Sequence, residues 1–272
     1  MQWWCTATGE VWTWTWRAYP GVWLFVALVA VVFRRFVAGP GSWSRAPRAE
    51  RLMFVAGIVS LWLSLDWPLG PIAAGYLTSA HALQFLIVTM ISAPLILLGS
   101  RTGTETRLAS LAPAAEGEGS RGSAAVLLFH PIFAAILFNI VVAGTHVPGV
   151  VDDLMPTVAG AFFVDFAWLV GALVFWWPVI MPVPQYRHFG VPMKILYLLV
   201  GTLFHTVIGM VMLSASMPMY GVYELAPPVF AIHPKADQQL AGGIMELGVF
   251  LAIVIGCGVL FFRWAEADEK GR

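Results

Sequence analysis

The sequence predicts an all-α integral membrane protein: a bundle of seven transmembrane helices with the N-terminus outside and the C-terminus in the cytoplasm. Three observations predict it. Hydrophobic residues make up 59% of the 272 and charged residues 11%, against roughly 25% charged in ordinary soluble domains. Seven apolar runs can be marked, each near the roughly 20 residues that a helix needs to cross hydrocarbon. The basic residues alternate between connections. Of 15 Lys and Arg, all but Arg17 and Lys235 fall in every second connection: Arg34, Arg35, Arg45, Arg48 and Arg51; Arg101, Arg107 and Arg121; Arg187 and Lys194; Arg263, Lys270 and Arg272. Basic residues are retained on the cytoplasmic side of a membrane, so the alternation sets the number of crossings and their direction together.

The elements follow in order. Trp3, Trp4, Trp12, Trp14 and Trp16 precede the first run and read as an interfacial aromatic belt. The opening Met-Gln-Trp-Trp-Cys has neither the basic leader nor the apolar core of a cleaved signal peptide. The first span covers 21–37 and stops at Arg34-Arg35, which can snorkel to the inner interface. The second covers 52–67, ending at Asp66-Trp67-Pro68, and the third 75–98. A polar, Ala/Gly/Glu-rich segment, 99–123, reads as a mobile cytoplasmic loop. The remaining spans are 124–142, 158–179, 192–215 and 240–262. Trp176-Trp177-Pro178 reads as an inner belt and the stop of the fifth span, with Gly171 permitting close helix approach. The whole chain, 1–272, is one bundle.

Several function classes are disfavoured. Net charge is zero, and no basic patch remains once the cytoplasmic connections are assigned, so nucleic acid is not a partner. There is no nucleophile–base arrangement, phosphate loop or nucleotide motif, which argues against an enzyme. No inverted pair of broken helices is visible, which weakens a carrier reading. Cys5 and Cys257 lie at different depths and do not suggest a disulfide.

Ionisable side chains at membrane depth are costly and are therefore candidate sites. Direction of travel puts His81, His146, Asp165 and Glu246 at one level near the extracytoplasmic surface, where Met155, Met217, Met219, Tyr220 and Tyr223 occupy the outer connections. Imidazole with thioether suits copper, especially the reduced ion, and carboxylates can orient imidazoles through their second nitrogens. The candidate ligands are His81, His146, Met217 and Met219; Asp165, Glu246, Asp237, Gln238 and His130 are candidates for supporting or partner contacts. Simpler readings stand beside these. His130 and His205 can bond neighbouring helices, the methionines can be packing, Asp165 and Glu246 can pair with each other, and Asp237-Gln238-Gln239 can cap the last helix. No His-x-x-x-His pair exists on any helix, so spacing alone gives little metal signal.

Read in order, several segments resemble the CtaG-type cytochrome c oxidase assembly factor family: Ser-Ala-His-Ala-Leu-Gln at 79–84 leading to Ala93-Pro94-Leu95, His130-Pro131, His146-Val147-Pro148, Gly171 through Phe175-Trp176-Trp177-Pro178, Pro218-Met219-Tyr220, and Asp237-Gln238-Gln239-Leu240-Ala241-Gly242. The resemblance spans about 60–264. It implies a seven-helix bundle in the bacterial cytoplasmic membrane, a role in maturing haem–copper oxidases, and copper supplied on the extracytoplasmic side. By position, His81, His130 and His146 match family histidines, and Asp237-Gln238-Gln239 matches the polar motif opening the last helix.

The sequence also departs from that pattern. Phe85 stands where the family's first motif usually has a second histidine, and Thr145 where a Trp commonly precedes His-x-Pro. Asp165-Phe166 replaces the usual Glu-His, and Glu246 stands where Trp is frequent. Phenylalanine cannot coordinate a metal. Two functions of different class therefore follow: an assembly factor that presents copper to an oxidase subunit, and a metal-free accessory subunit of a respiratory or related membrane complex.

Overall fold

A computed structural model describes residues 2–111, 129–181 and 189–271, and among them 76% helix and no strand. The chain forms α1 (Pro20–Val32), α2 (Ser42–Arg45), α3 (Arg48–Leu65), α4 (Leu69–Gly75), α5 (Thr78–Leu86), α6 (Ala93–Leu98), α7 (Arg101–Leu111), α8 (Pro131–Thr145), α9 (Pro148–Leu154), α10 (Val158–Ile180), α11 (Val191–Gly201), α12 (Leu203–Ser214), α13 (Gly221–Glu224) and α14 (Pro234–Gly271). Two π-helical turns, Phe33–Val37 and Ile87–Ser92, continue α1 and join α5 to α6.

Five helices are long and apolar enough to cross a membrane: Pro20–Val37, Thr78–Leu98, Val158–Ile180, Val191–Ser214 and Pro234–Lys270. Two further helix pairs are bent, α3 with α4 by 49° and α8 with α9 by 72°, giving up to seven spans if each bent pair counts as one. The five qualifying helices coincide with the runs at 21–37, 75–98, 158–179, 192–215 and 240–262, with differences at the ends. Residues 124–128 of the expected fourth span lie outside the described residues, and the described helix there starts at Pro131, with proline at its first position. The last helix has 38 residues, about 57 Å at about 1.5 Å per residue. Hydropathy located only its apolar middle, whereas the flanking Lys, Asp, Glu and Ala residues also favour helix.

The segment expected as a loop at 99–123 is instead helical over Arg101–Leu111. Glu50 receives the backbone N–H of Thr102 at 3.2 Å and its hydroxyl at 2.6 Å, placing a carboxylate at the positive end of α7. Arg101 and Glu105 pair at 2.8 Å one turn apart. The rest of that loop, with Arg121, lies outside the described residues, as do Arg187 and His188. The fifth span's helix ends two residues past Trp176-Trp177-Pro178, at Ile180, with Pro178 in its last turn. Carbonyls near this end are taken by side chains, Phe175 by the Tyr197 hydroxyl and Val179 by the Lys194 ammonium, each at 2.8 Å.

Close helix contact is made where side chains are smallest. A Cβ on Gly57 would meet the Ile96 nitrogen at 2.8 Å, and one on Gly242 the Gly209 carbonyl at 2.6 Å, so α3 with α6 and α12 with α14 cross at backbone distance. Gly171 faces Phe138 and Val141 of α8 at 3.4–3.5 Å.

The N-terminal segment is more than an interfacial belt. Trp3 and Trp16 are exposed, but Trp4 and Cys5 are each only 2% exposed. The segment folds over one end of the bundle, hereafter the tryptophan end. Ala7 N–H bonds the Met155 carbonyl and Gly21 N–H the Trp3 carbonyl, each at 3.0 Å, and the Tyr76 hydroxyl donates to the Glu10 carbonyl at 2.8 Å. Arg34, Arg35, Arg48 and Arg101 gather at the other, arginine end.

Candidate functional site

α5 begins at Thr78 and α8 ends at Thr145, so His81 and His146 both arrive at the tryptophan end from helices running in opposite directions. Their rings lie 6.0 Å apart between centroids, and both side chains are buried. Trp168 of α10 stands 4.8 Å from His81 and 6.1 Å from His146, with its indole N–H donating to the Thr145 hydroxyl at 2.9 Å. Phe85, one turn after His81, contacts His146 at 5.0 Å, Trp168 at 5.1 Å and His205 at 5.5 Å.

The hydrogen bonding is uneven. His146 Nδ1 lies 2.8 Å from the Val142 carbonyl. A carbonyl can only accept, so Nδ1 carries the proton and Nε2 keeps its lone pair. That Nε2 is buried with no hydrogen-bond partner, and so are both nitrogens of His81 and of His205. The Ala73 carbonyl lies beside His81 and accepts from the Tyr223 hydroxyl at 2.9 Å. The Tyr220 hydroxyl donates to the His146 carbonyl at 3.0 Å. Burial holds both phenols well above their ordinary range, so they remain protonated donors. Each unpartnered buried polar atom costs about 1–3 kcal/mol.

The other candidates go elsewhere. Asp165 accepts the Trp4 indole N–H at 2.8 Å. Glu246 sits against Gly209 and Thr206 of α12. The two carboxylates therefore bond to different partners, and the two histidines are the candidates whose side chains stand side by side. Depth fixes a level on a helix but not which face it presents. His130 is the residue before α8, a full helix away from His146: about 24 Å at about 1.5 Å per residue. Met217 is 69% exposed, and Met219 packs half-buried against the core with its N–H bonded to Gln238. Met217 is thus at the surface, whereas both imidazoles are buried.

Asp237-Gln238-Gln239 is a clamp between helices rather than the cap of its own helix, which begins earlier, at Pro234. Asp237 accepts the N–H of Thr78 at 2.6 Å, the N–H of Ser79 at 3.4 Å and the Ser79 hydroxyl, so it caps α5 three residues before His81. Gln238 accepts the Met219 N–H at 2.6 Å and reaches the Met212 and Met217 carbonyls at 3.3 and 3.4 Å. Gln239 reaches the Leu213 carbonyl at 3.3 Å. Sequence reasoning missed Trp4 and Trp168 as supports of the site and set His205 apart from it. The spacing of His81 and Phe85, one turn apart on α5, was the available signal for the last.

Among the described residues no group of three or more His, Cys, Asp or Glu side chains is arranged to hold a metal ion. The histidine pair is a smaller fit. Its two rings lie edge to face, 6.0 Å apart at an interplanar angle of 68°, and imidazole nitrogen is a ligand type that copper accepts. Fold and site thus define a helical membrane protein that buries a pair of imidazoles with free nitrogens at one end. The family model for the cytochrome c oxidase caa3 assembly factor (Caa3_CtaG) matches residues 11–267, and the chain belongs to that family. No curated protein and no solved structure matches it.

Proposed function

We propose that this protein acts in maturation of a haem–copper cytochrome c oxidase from the bacterial cytoplasmic membrane, crossing it seven times with the tryptophan end outside. On this reading His81 and His146 hold copper(I) for delivery to a nascent oxidase subunit, and the role is non-catalytic. Family membership supports the oxidase assignment, and the Lys/Arg alternation supports the orientation. One observation carries the copper reading: the Val142 carbonyl fixes the His146 tautomer and leaves Nε2 as a buried, unpaired base beside His81. Bound copper would supply a soft, exchangeable centre that prefers such nitrogens. Trp168 and Phe85 keep water from the pair, and the Tyr220 hydroxyl anchors the backbone at His146. Met217, exposed at the rim, is suited to a passing ion rather than to the buried pair.

A second reading, a metal-free accessory subunit, is favoured by Phe85, whose ring packs against His146 and His205 as a core residue. The experiment is copper content after purification in mild detergent with copper(I) supplied. About one copper per chain, lost in a His81→Ala/His146→Ala variant that still melts cooperatively, is the expected result. Metal-free protein that co-purifies stoichiometrically with haem-bearing subunits overturns the copper reading in favour of the second.

A further inference from the structure

The arginine end carries a feature that oxidase maturation does not account for. Between α1 and α3 lies an open groove of about 330 Å³. Val31, Val55 and Val59 line it along the membrane and are each about half exposed, while Arg34 and Arg35 stand at its end. The π-helical turn Phe33–Val37 carries both arginines. The Arg34 guanidinium lies 3.9 Å over the Trp43 ring, a stacking that fixes its plane.

No ion pair is formed by Arg34 among the described residues. Its Nε is buried with no hydrogen-bond partner. Glu10 is paired with Arg17 and Glu105 with Arg101. Glu50, the acidic residue in the first turn of α3, is committed to Thr102. Two adjacent cations, one stacked and partly desolvated, therefore face an aliphatic channel. A planar guanidinium matches a phosphate, an aliphatic channel matches an acyl chain, and basic pockets between membrane helices bind anionic lipid head groups.

We infer that the groove between α1 and α3 binds one anionic glycerophospholipid, with its phosphate on Arg34 and Arg35 and an acyl chain along Val31, Val55 and Val59. Neither charge nor channel is sufficient alone. Inorganic phosphate lacks the chain, and a zwitterionic lipid offsets its phosphate with its own cation.

The test uses the full-length protein, delipidated in a nonionic detergent and supplied with phosphatidylglycerol, phosphatidylcholine or inorganic phosphate. Native mass spectrometry counts adducts, and thermal unfolding reads their effect. The expected result is one phosphatidylglycerol adduct per chain that persists where phosphatidylcholine is stripped, with a melting temperature raised by phosphatidylglycerol and not by phosphate. Arg34→Gln/Arg35→Gln should lower adduct occupancy about tenfold, or about 1.4 kcal/mol. Val55→Trp, which fills the channel and keeps both charges, should do the same; it decides the matter if the arginine variant does not fold. Equal retention of phosphatidylcholine, an equal shift with phosphate alone, or full occupancy in a folded Val55→Trp protein would overturn the inference.

Discussion

Two buried polar clusters lie near the tryptophan end, three residues apart on α5, and they are built by opposite rules. At Asp237 the bonding is dense: the carboxylate takes two backbone N–H groups and a hydroxyl, and Gln238 beside it uses both its oxygen and its nitrogen. At His81 and His146 one nitrogen of four has a partner. Burying a polar group without a bond is unfavourable, so the satisfied cluster accounts for itself as structure and the unsatisfied one does not. The difference separates side chains whose bonding ties helices together from side chains whose nitrogens have no hydrogen-bond partner, although both are polar and buried.

The largest effect should come from breaking the satisfied cluster. Asp237→Ala leaves two backbone N–H groups and a hydroxyl without an acceptor at the start of α5, at a cost of about 3 kcal/mol. Thermal unfolding in detergent reads this, and an unchanged melting temperature would erase the distinction between the clusters. An intermediate effect belongs to Trp4→Phe, which keeps the ring and removes the donor to Asp165, costing about 1–2 kcal/mol. Cys5 reports this change locally. Burial first, then the Asp165 and Asp66 carboxylates, hold its thiol well above the ordinary range, and its Sγ–H donates to the Leu65 carbonyl at 3.3 Å. Since the thiolate is the reactive form, maleimide should label Cys5 slowly in the native protein at pH 7 and faster in the variant. The smallest stability change should come from His81→Leu. Removing a ring whose nitrogens are unbonded relieves their burial cost and gives up its packing on Trp168 and Tyr223, so no net destabilisation beyond about 1 kcal/mol is expected, while copper retention falls; a loss as large as that of Asp237→Ala would make His81 a structural residue.

Much of the fold was legible because hydrocarbon imposes a one-dimensional rule. An apolar run such as 158–179 must be a helix, since backbone groups in lipid need partners within their own segment, and α10 matches it at Val158–Ile180. The His81–His146 meeting was legible for the same reason, as an inference about level. The fate of Asp165 was not. Its partner, Trp4, comes from a segment 161 residues away, and no periodicity links the two. Nor was the clamp at Asp237 visible: a helix-opening Asp looks the same in sequence whether it caps its own helix or a neighbour's. The helix at Arg101–Leu111 was missed because composition reports average polarity, whereas its first turn is capped by a carboxylate, Glu50, delivered from α3.

The sequence by itself determined that this chain is helical, embedded and basic at one end, because transfer free energy and charge retention act on each residue by composition and position alone. Only the tertiary structure decided which buried polar atoms find partners, because hydrogen bonds are short and directional and depend on which faces of distant helices meet. That choice gave Asp237 its donors, gave Asp165 to Trp4, and left the imidazoles of His81 and His146 side by side with nitrogens to spare.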